Sequence, residues 1–325
     1  MIMRNILPAH PDQIKRFLLS PQTMIYLLLL LMLTAAAIIS PGYLQFTHLA
    51  GILRLASFLG IAAIGQNLAI LSGGIDLSIA QLMCMGNVFG AQIMMAKNEN
   101  MLPALLVVAV LGALFGAFNG FGIKYLKIPA FIMTLGTSCI VQGVCLIYTK
   151  GAPKGNTAPL LKSICNDRLF NVLPPLVLLW LGLAILTIVV LKCTPFGRRI
   201  YAVGANETAA RFSGVNTNKV IFAVYIISAV CAALAGYLLV GYTGTSYLDA
   251  GVSYHTKSVA AVVIGGTSVQ GGRGNYLGTI AGAISFVVLE DFLVILNMSE
   301  AGRNIALGIL IIAMILLYQK DTHAQ

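Results

Sequence analysis

Residues 24–40 read MIYLLLLLMLTAAAIIS, and Pro41-Gly42 follows directly. The run holds no charge and is long enough for one helix to cross a hydrocarbon core about 30 Å thick. The Pro-Gly pair then signals a turn. Residues 1–23 carry Arg4, Lys15 and Arg16 against Asp12 and are expected to stay on the cytoplasmic side. No A-x-A cleavage pattern trails the run, so a cleaved signal peptide is not expected.

The rest of the 325 residues repeats this pattern. Hydrophobic residues make up 58% of the chain, charged residues 9%, and the mean hydropathy is +0.91. A soluble domain carries about 25% charged residues. At about 20 residues per span, this composition allows about nine or ten crossings and leaves no stretch for a soluble enzyme domain. The apolar residues come in long runs, which a porin-like barrel of short alternating strands does not show. After 24–40, apolar segments are expected at about 50–71, 77–96, 103–123, 130–148, 174–191, 220–241, 258–270, 276–297 and 304–318. The expected fold is therefore all-α, a polytopic membrane bundle of about ten transmembrane helices, some of them broken or half helices. Residues 1–325 are read as one domain.

The net charge of +10 does not point to nucleic acid. Basic residues collect in cytoplasmic loops, and no basic surface interleaved with aromatics is present. With the N-terminus inside and ten crossings, 12 of the 20 basic residues fall on the inner side. The stretch 192–219 decides the orientation, with five basic residues against Glu207 alone. Both termini are then cytoplasmic. The six cysteines lack metal-ligand spacing and read as small buried hydrophobes. Gly112, Gly116 and Gly120, then Gly274, Gly278 and Gly282, and the pair Gly86 and Gly90 recur four residues apart. Such ladders let helix backbones approach closely, within a bundle or between subunits.

Three interruptions carry the functional information. Ser72-Gly73-Gly74-Ile75-Asp76-Leu77-Ser78 breaks the apolar run between two helices. The glycines permit a sharp bend, and Asp76 and Ser78 can cap the next helix. An acid in a span is also a functional candidate by default, so a substrate or proton role for Asp76 stays open. The second break, at 265–274, holds Gly265, Gly266, Gly271 and Gly272 and follows an apolar segment too short for a full span. Gly-interrupted segments in both halves of a chain are a feature of transporters built from repeats. The third is the loop GRRIYAVGANETAARFSGV at 197–215. Asn206 can cap a short helix from Glu207 to Ser213, Gly214 can stop it, and Glu207 can pair with Arg211. Such a helix suits the groove of a soluble partner better than a pore. The chain has no phosphate loop, HExxH or GxSxG motif, and its four histidines lie near ends or loops. An enzyme of its own is not expected.

Several stretches occur together in the order seen in a known family. These are Gly73-Gly74-Ile75-Asp76-Leu77-Ser78, Pro129-Ala130-Phe131-Ile132-Met133-Thr134-Leu135-Gly136, and Gly143 with Tyr148-Thr149, Gly151 and Pro153. The 197–215 loop follows, and last comes Ala260-Ala261-Val262-Val263-Ile264-Gly265-Gly266-Thr267-Ser268 with Gly271-Gly272. Over about residues 25–318 the chain resembles the permease subunits of ATP-binding-cassette sugar importers of the ribose, xylose and galactose type. The resemblance implies a bacterial cytoplasmic (inner) membrane protein that pairs with a second permease copy or paralogue. It implies two ATPase subunits, which bind the ATP, and a soluble binding protein that delivers a monosaccharide. No cofactor of the chain's own is implied. Residues 192–219 match the place where such permeases dock the ATPase, with Asn206, Glu207, Ala209, Ala210, Arg211 and Gly214 as coupling residues.

Candidates for the sugar path are the polar groups Gln66, Asn67, Asp76, Ser78, Gln81, Asn87, Asn119, Thr134, Thr137, Gln142 and Asn297, each also suited to an interhelical hydrogen bond. Where the family often has a Tyr-Glu-Leu-Asp pattern, this chain reads Tyr254-His255-Thr256-Lys257. The alternative function is an ion-gradient-driven secondary transporter of a small polar solute, using Asp76 or the Glu290-Asp291 pair. A membrane enzyme or scaffold is the third reading.

Overall fold

The computed structural model describes residues 21–169 and 173–309. Expectations placed on 1–20 and on the end of the last apolar segment, including the side of each terminus, lie outside the described residues.

The fold is helical. In chain order the helices are α1 (Pro21–Ile39), α2 (Phe46–Leu71), α3 (Ile79–Met94), α4 (Met101–Lys124), α5 (Ala130–Thr149), α6 (Pro159–Asn166), α7 (Pro175–Cys193), α8 (Pro195–Ala205), α9 (Glu207–Phe212), α10 (Thr217–Thr243), α11 (Tyr254–Ile264) and α12 (Tyr276–Ile295). A further helix runs from 300 through 309. Six helical stretches are long and apolar enough to cross a membrane: Phe46–Leu71, Asn98–Lys124, Ala130–Thr149, Pro175–Cys193, Thr217–Thr243 and Tyr276–Ile295. The expected count of ten is thus not reproduced among the described residues. The glycine breaks explain part of the difference. α3 has 16 residues because Ser72–Ser78 intervenes before it, and α11 stops after 11 residues at Gly265. The apolar reading of 258–270 ran past that stop.

α10 is the central post, packing against α2, α3 and α4. The small-residue ladders serve these contacts. A Cβ on Gly116 would lie 2.6 Å from the Tyr225 carbonyl oxygen, and one on Gly86 would lie 2.0 Å from that of Ala233. The Gly278 and Gly282 ladder seats α12 on α11 in the same way. On the other flank the buried Trp180 of α7 donates its indole N–H to the Tyr276 hydroxyl at 3.0 Å, which donates to the Gly60 carbonyl at 2.8 Å. Three cysteines, Cys84, Cys145 and Cys165, are buried. Cys139 and Cys193 are exposed on the bundle surface, against the expectation that all were core residues.

The loops fall into two ends. The first end gathers 72–78, 125–129, 194–216 and 265–275, tied by Gly272 N–H to Leu71 C=O (2.9 Å) and Lys124 to Glu207 (2.5 Å). The second end gathers 40–45, 95–100, 150–169, 173–174, 244–253 and 296–299, tied by Thr157 N–H to Gly244 C=O (3.0 Å) and His48 to Asp291 (2.9 Å). Between the apolar segments 130–148 and 174–191 the chain forms the eight-residue α6, too short to register as a span.

Candidate functional site: the α9 knob and the broken helices

α9 forms where its sequence dictates. Asn206 adopts an extended conformation, and its side-chain oxygen accepts the Ala209 N–H at 2.9 Å. Gly214 takes φ +82, a left-handed value that a side chain would strain. The helix ends at Phe212, one residue before the expected stop. Glu207 pairs with Arg211 at 3.3 Å as its spacing predicts. It also receives Lys124 from the end of α4 at 2.5 Å and the Thr217 hydroxyl at 3.0 Å. Neither of those partners was legible in the sequence. Burial works against the charged Glu207, but the Lys124 hydrogen bond and charge, the Thr217 hydroxyl and Arg211 outweigh it. Its carboxyl is held below the usual range.

This arrangement clamps α9 to the bundle and decides which side chains face out. Ala210 is buried in the apolar cluster of α2, α8 and α10. It anchors the knob and cannot enter a partner's groove. Asn206, Thr208, Ala209, Arg211 and Gly214 are exposed, and Phe212 is 88% exposed. Phe212 was missed as a site residue. Its signal is that it is the one aromatic in the hexapeptide ETAARF.

The lowered Glu207 carboxyl gives a pH expectation. Its contribution to seating α9 is fully present above the ordinary value of 4.5 and is lost as the pH falls through the lower folded value. A nitroxide at Thr208→Cys should stay immobile from neutral pH down to that window and loosen below it. With Glu207→Gln added it should be loose throughout. Equal mobility in the two proteins at neutral pH refutes the clamp.

Behind the knob, both glycine breaks converge on the end of α8. Gly73, Gly271 and Gly272 have φ of +86, +86 and +69. A Cβ on Gly204 would stand 1.8 Å from the Leu71 carbonyl oxygen and 2.6 Å from the Gly272 nitrogen. Tyr201 donates its hydroxyl to the Gly274 carbonyl at 2.9 Å. Gly266 also has a positive φ, and Gly265 packs directly on the Gly278 backbone. Gly74 leaves room for the Tyr225 hydroxyl. A cavity of about 570 Å³ opens here, lined by Gly73, Gly74, Lys124, Glu207, Phe212 and Tyr225 among others.

Four path candidates form one buried chain. Thr137 donates to Asn119 (2.6 Å), Asn119 to Ser78 (3.1 Å) and Ser78 to Asp76 (2.5 Å). Asp76 also accepts from its neighbour's N–H, that of Ser78 (3.0 Å), and from the Ser228 hydroxyl of α10 (2.6 Å). Thr134 fixes the same break by accepting the Leu77 N–H (3.0 Å). Ser78 makes no side-chain cap to α3, contrary to expectation, because its hydroxyl is spent on Asp76. With three donors on its carboxylate, Asp76 holds the first break in shape.

The remaining candidates lie elsewhere. Asn67 donates to Thr267 and Thr279, both at 2.9 Å, and so ties α2 to the second break. Gln66 is fully buried, and among the described residues its amide atoms have no partner. Asn87 accepts the Tyr247 N–H toward the second end. Gln81 is half-buried. Gln142 is exposed on α5, and Asn297 is exposed beyond α12, so neither joins the buried chain. Glu290 pairs with Lys257 at 2.7 Å and Asp291 with His48.

A family model described as branched-chain amino acid transport system / permease component matches residues 48–315. The chain belongs to this permease family. The ribose import permease protein RbsC of Haemophilus influenzae is 33% identical to the permease over 311 residues, covering 94% of each chain. RbsC of Bacillus subtilis is 32% identical, covering 91% of this chain and 92% of its own. The fructose import permease protein FrcC of Rhizobium meliloti is 33% identical over 92% of this permease and 86% of its own length. No solved structure matches the permease.

Proposed function

We propose that the permease is the membrane-spanning subunit of an ATP-driven importer and forms the path for a monosaccharide. The observation that carries the reading is the α9 knob. A six-residue helix lies at one end of the membrane bundle, tied at its base by Lys124–Glu207 and tipped by an 88% exposed phenylalanine. Such a feature serves a soluble partner, here the ATPase that binds and hydrolyses ATP. Residues 192–219 act as the coupling segment. The α9 end faces the cytoplasm, and both termini lie on that side of a bacterial inner membrane. The stretch 192–219 at this end carries five basic residues, Lys192, Arg198, Arg199, Arg211 and Lys219, against Glu207 alone. A second permease copy or paralogue completes the path, and a binding protein delivers the solute to the opposite end. The sugar class follows from the similarity to ribose and fructose import permeases.

Ion-gradient coupling is disfavoured because its candidate acids are engaged. Asp76 holds a backbone turn, and Glu290 and Asp291 are paired with Lys257 and His48.

The test is uptake by the assembled complex of radiolabelled D-ribose, D-fructose, D-allose and L-leucine, beside a complex whose ATPase lacks its phosphate-loop lysine. Accumulation of a sugar only with the intact ATPase is expected. Accumulation of leucine alone refutes the cargo class, and accumulation that ignores the lysine change refutes the energy source.

A further inference from the structure

The second end holds a cavity of about 770 Å³ between α2, α10, α11, α12 and the helix that begins at 300. It plays no part in the α9 knob or the glycine breaks. Its volume lies within the range of about 300–1,000 Å³ typical of small-molecule sites.

The lining is unusual for a membrane bundle. Arg54 lies eight residues into α2, about 12 Å along the helix axis at 1.5 Å per residue. Its guanidinium sits over the Tyr242 ring, 5.4 Å from the centroid. Its hydrogen bonds are two long ones from Nη1 to Asn166, at 3.3 and 3.5 Å. Its Nε is buried without an acceptor, and no carboxylate pairs with it among the described residues. The Lys257–Glu290 ion pair at 2.7 Å and the His48–Asp291 hydrogen bond at 2.9 Å line the same space.

Ionisable groups inside spans are expensive, and they mark solute pathways or water-filled cavities. Mutual neutralisation explains the Lys257–Glu290 pair, and a hydrogen bond explains the His48–Asp291 contact. Neither explains the open volume beside them or an Arg54 guanidinium with no carboxylate partner among the described residues. A ring-form polyol answers to all of these features. Its hydroxyls both donate and accept, so they can bridge Arg54, Lys257 and the two carboxylates together. Its C–H face packs on an aromatic wall, and Tyr242 is 37% exposed.

We propose that this cavity is a sugar subsite within the permease, at which a monosaccharide rests before it moves toward the glycine breaks. The subsite rests on the monosaccharide reading above. Tyr242 supplies the platform, Arg54 the fixed donor, and the Lys257–Glu290 pair the groups that tell one hydroxyl pattern from another.

The test uses the full complex and the sugar that wild type accumulates best among D-ribose, D-fructose and D-allose. The paired variant Lys257→Met with Glu290→Gln removes both charges without stranding either, and Tyr242→Leu removes the ring but keeps apolar bulk. Each is expected to raise the half-saturating sugar concentration about tenfold, the loss expected for one charge-assisted hydrogen bond or stacking contact. The maximal rate and ATPase assembly should be kept. The paired variant should also change the ranking of the three sugars, whereas Lys257→Arg, which keeps Glu290 and the positive charge, should hold the wild-type ranking in part. Unchanged half-saturation and ranking in both variants overturns the subsite while wild-type uptake upholds the import reading. Failure of wild type to accumulate any monosaccharide overturns both.

Discussion

Phe212→Ala is expected to weaken binding of the ATPase to the permease about thirtyfold and to reduce ATP-driven uptake in parallel, with the permease itself folded and inserted as before. The magnitude follows from truncating an aromatic anchor, about 2 kcal/mol or more at a hot spot, where each 1.4 kcal/mol is a factor of ten. The fold should not suffer, because an 88% exposed side chain contributes little packing to its own bundle. The structure separates Phe212 from its neighbour in role. Ala210→Ser places a hydroxyl against the apolar cluster of Val203, Val224 and Leu68 and should lower stability without touching the partner surface. Binding of purified ATPase to permease in nanodiscs, measured beside thermal stability, tests both at once. Equal binding by Phe212→Ala and wild type removes the knob as the docking element.

How far the sequence carried this picture depends on the range of each interaction. α9 was legible because its determinants are local. Asn206 caps it, Glu207 and Arg211 are four apart, and Gly214 ends it, all within nine residues. The Lys124–Glu207 pair spans 83 positions, and the Ser228–Asp76 bond spans 152, so neither leaves a trace in spacing. The polar residues of the spans show a different limit. In a helix apolar all round, periodicity does not tell the inward face from the outward one. Thr134, Thr137 and Gln142 stood equal on α5, yet the first two are buried and the third faces outward. The helix count among the described residues falls below the expected ten for a related reason. Hydropathy reads through Gly265 because Val262-Val263-Ile264 precede it, while the backbone stops there at a close contact with Gly278.

The convergence on Gly204 leads to the largest effect expected. Gly204→Val should abolish uptake while ATPase binding stays within about threefold of wild type, the range of a change that leaves the docking surface intact. The reason is geometric. The added Cβ meets the Leu71 carbonyl oxygen at 1.8 Å and the Gly272 nitrogen at 2.6 Å, both backbone atoms that cannot rotate away. Those atoms themselves form the 2.9 Å hydrogen bond that joins the two broken helices. The substitution therefore wedges apart the place where α8, the end of α2 and the second break touch, and α9 on the far side of Asn206 keeps its own cap and clamp. In the import reading, motion of the ATPase reaches the path through this contact, which the Tyr201–Gly274 hydrogen bond reinforces from α8 to the second break. Tyr201→Phe should then give a milder loss of uptake of the same kind, with ATP hydrolysis proceeding at wild-type rate in both variants. A Gly204→Val permease that loses ATPase binding as completely as transport would reduce the contact to scaffolding for the knob. One that transports normally would remove the contact from the mechanism.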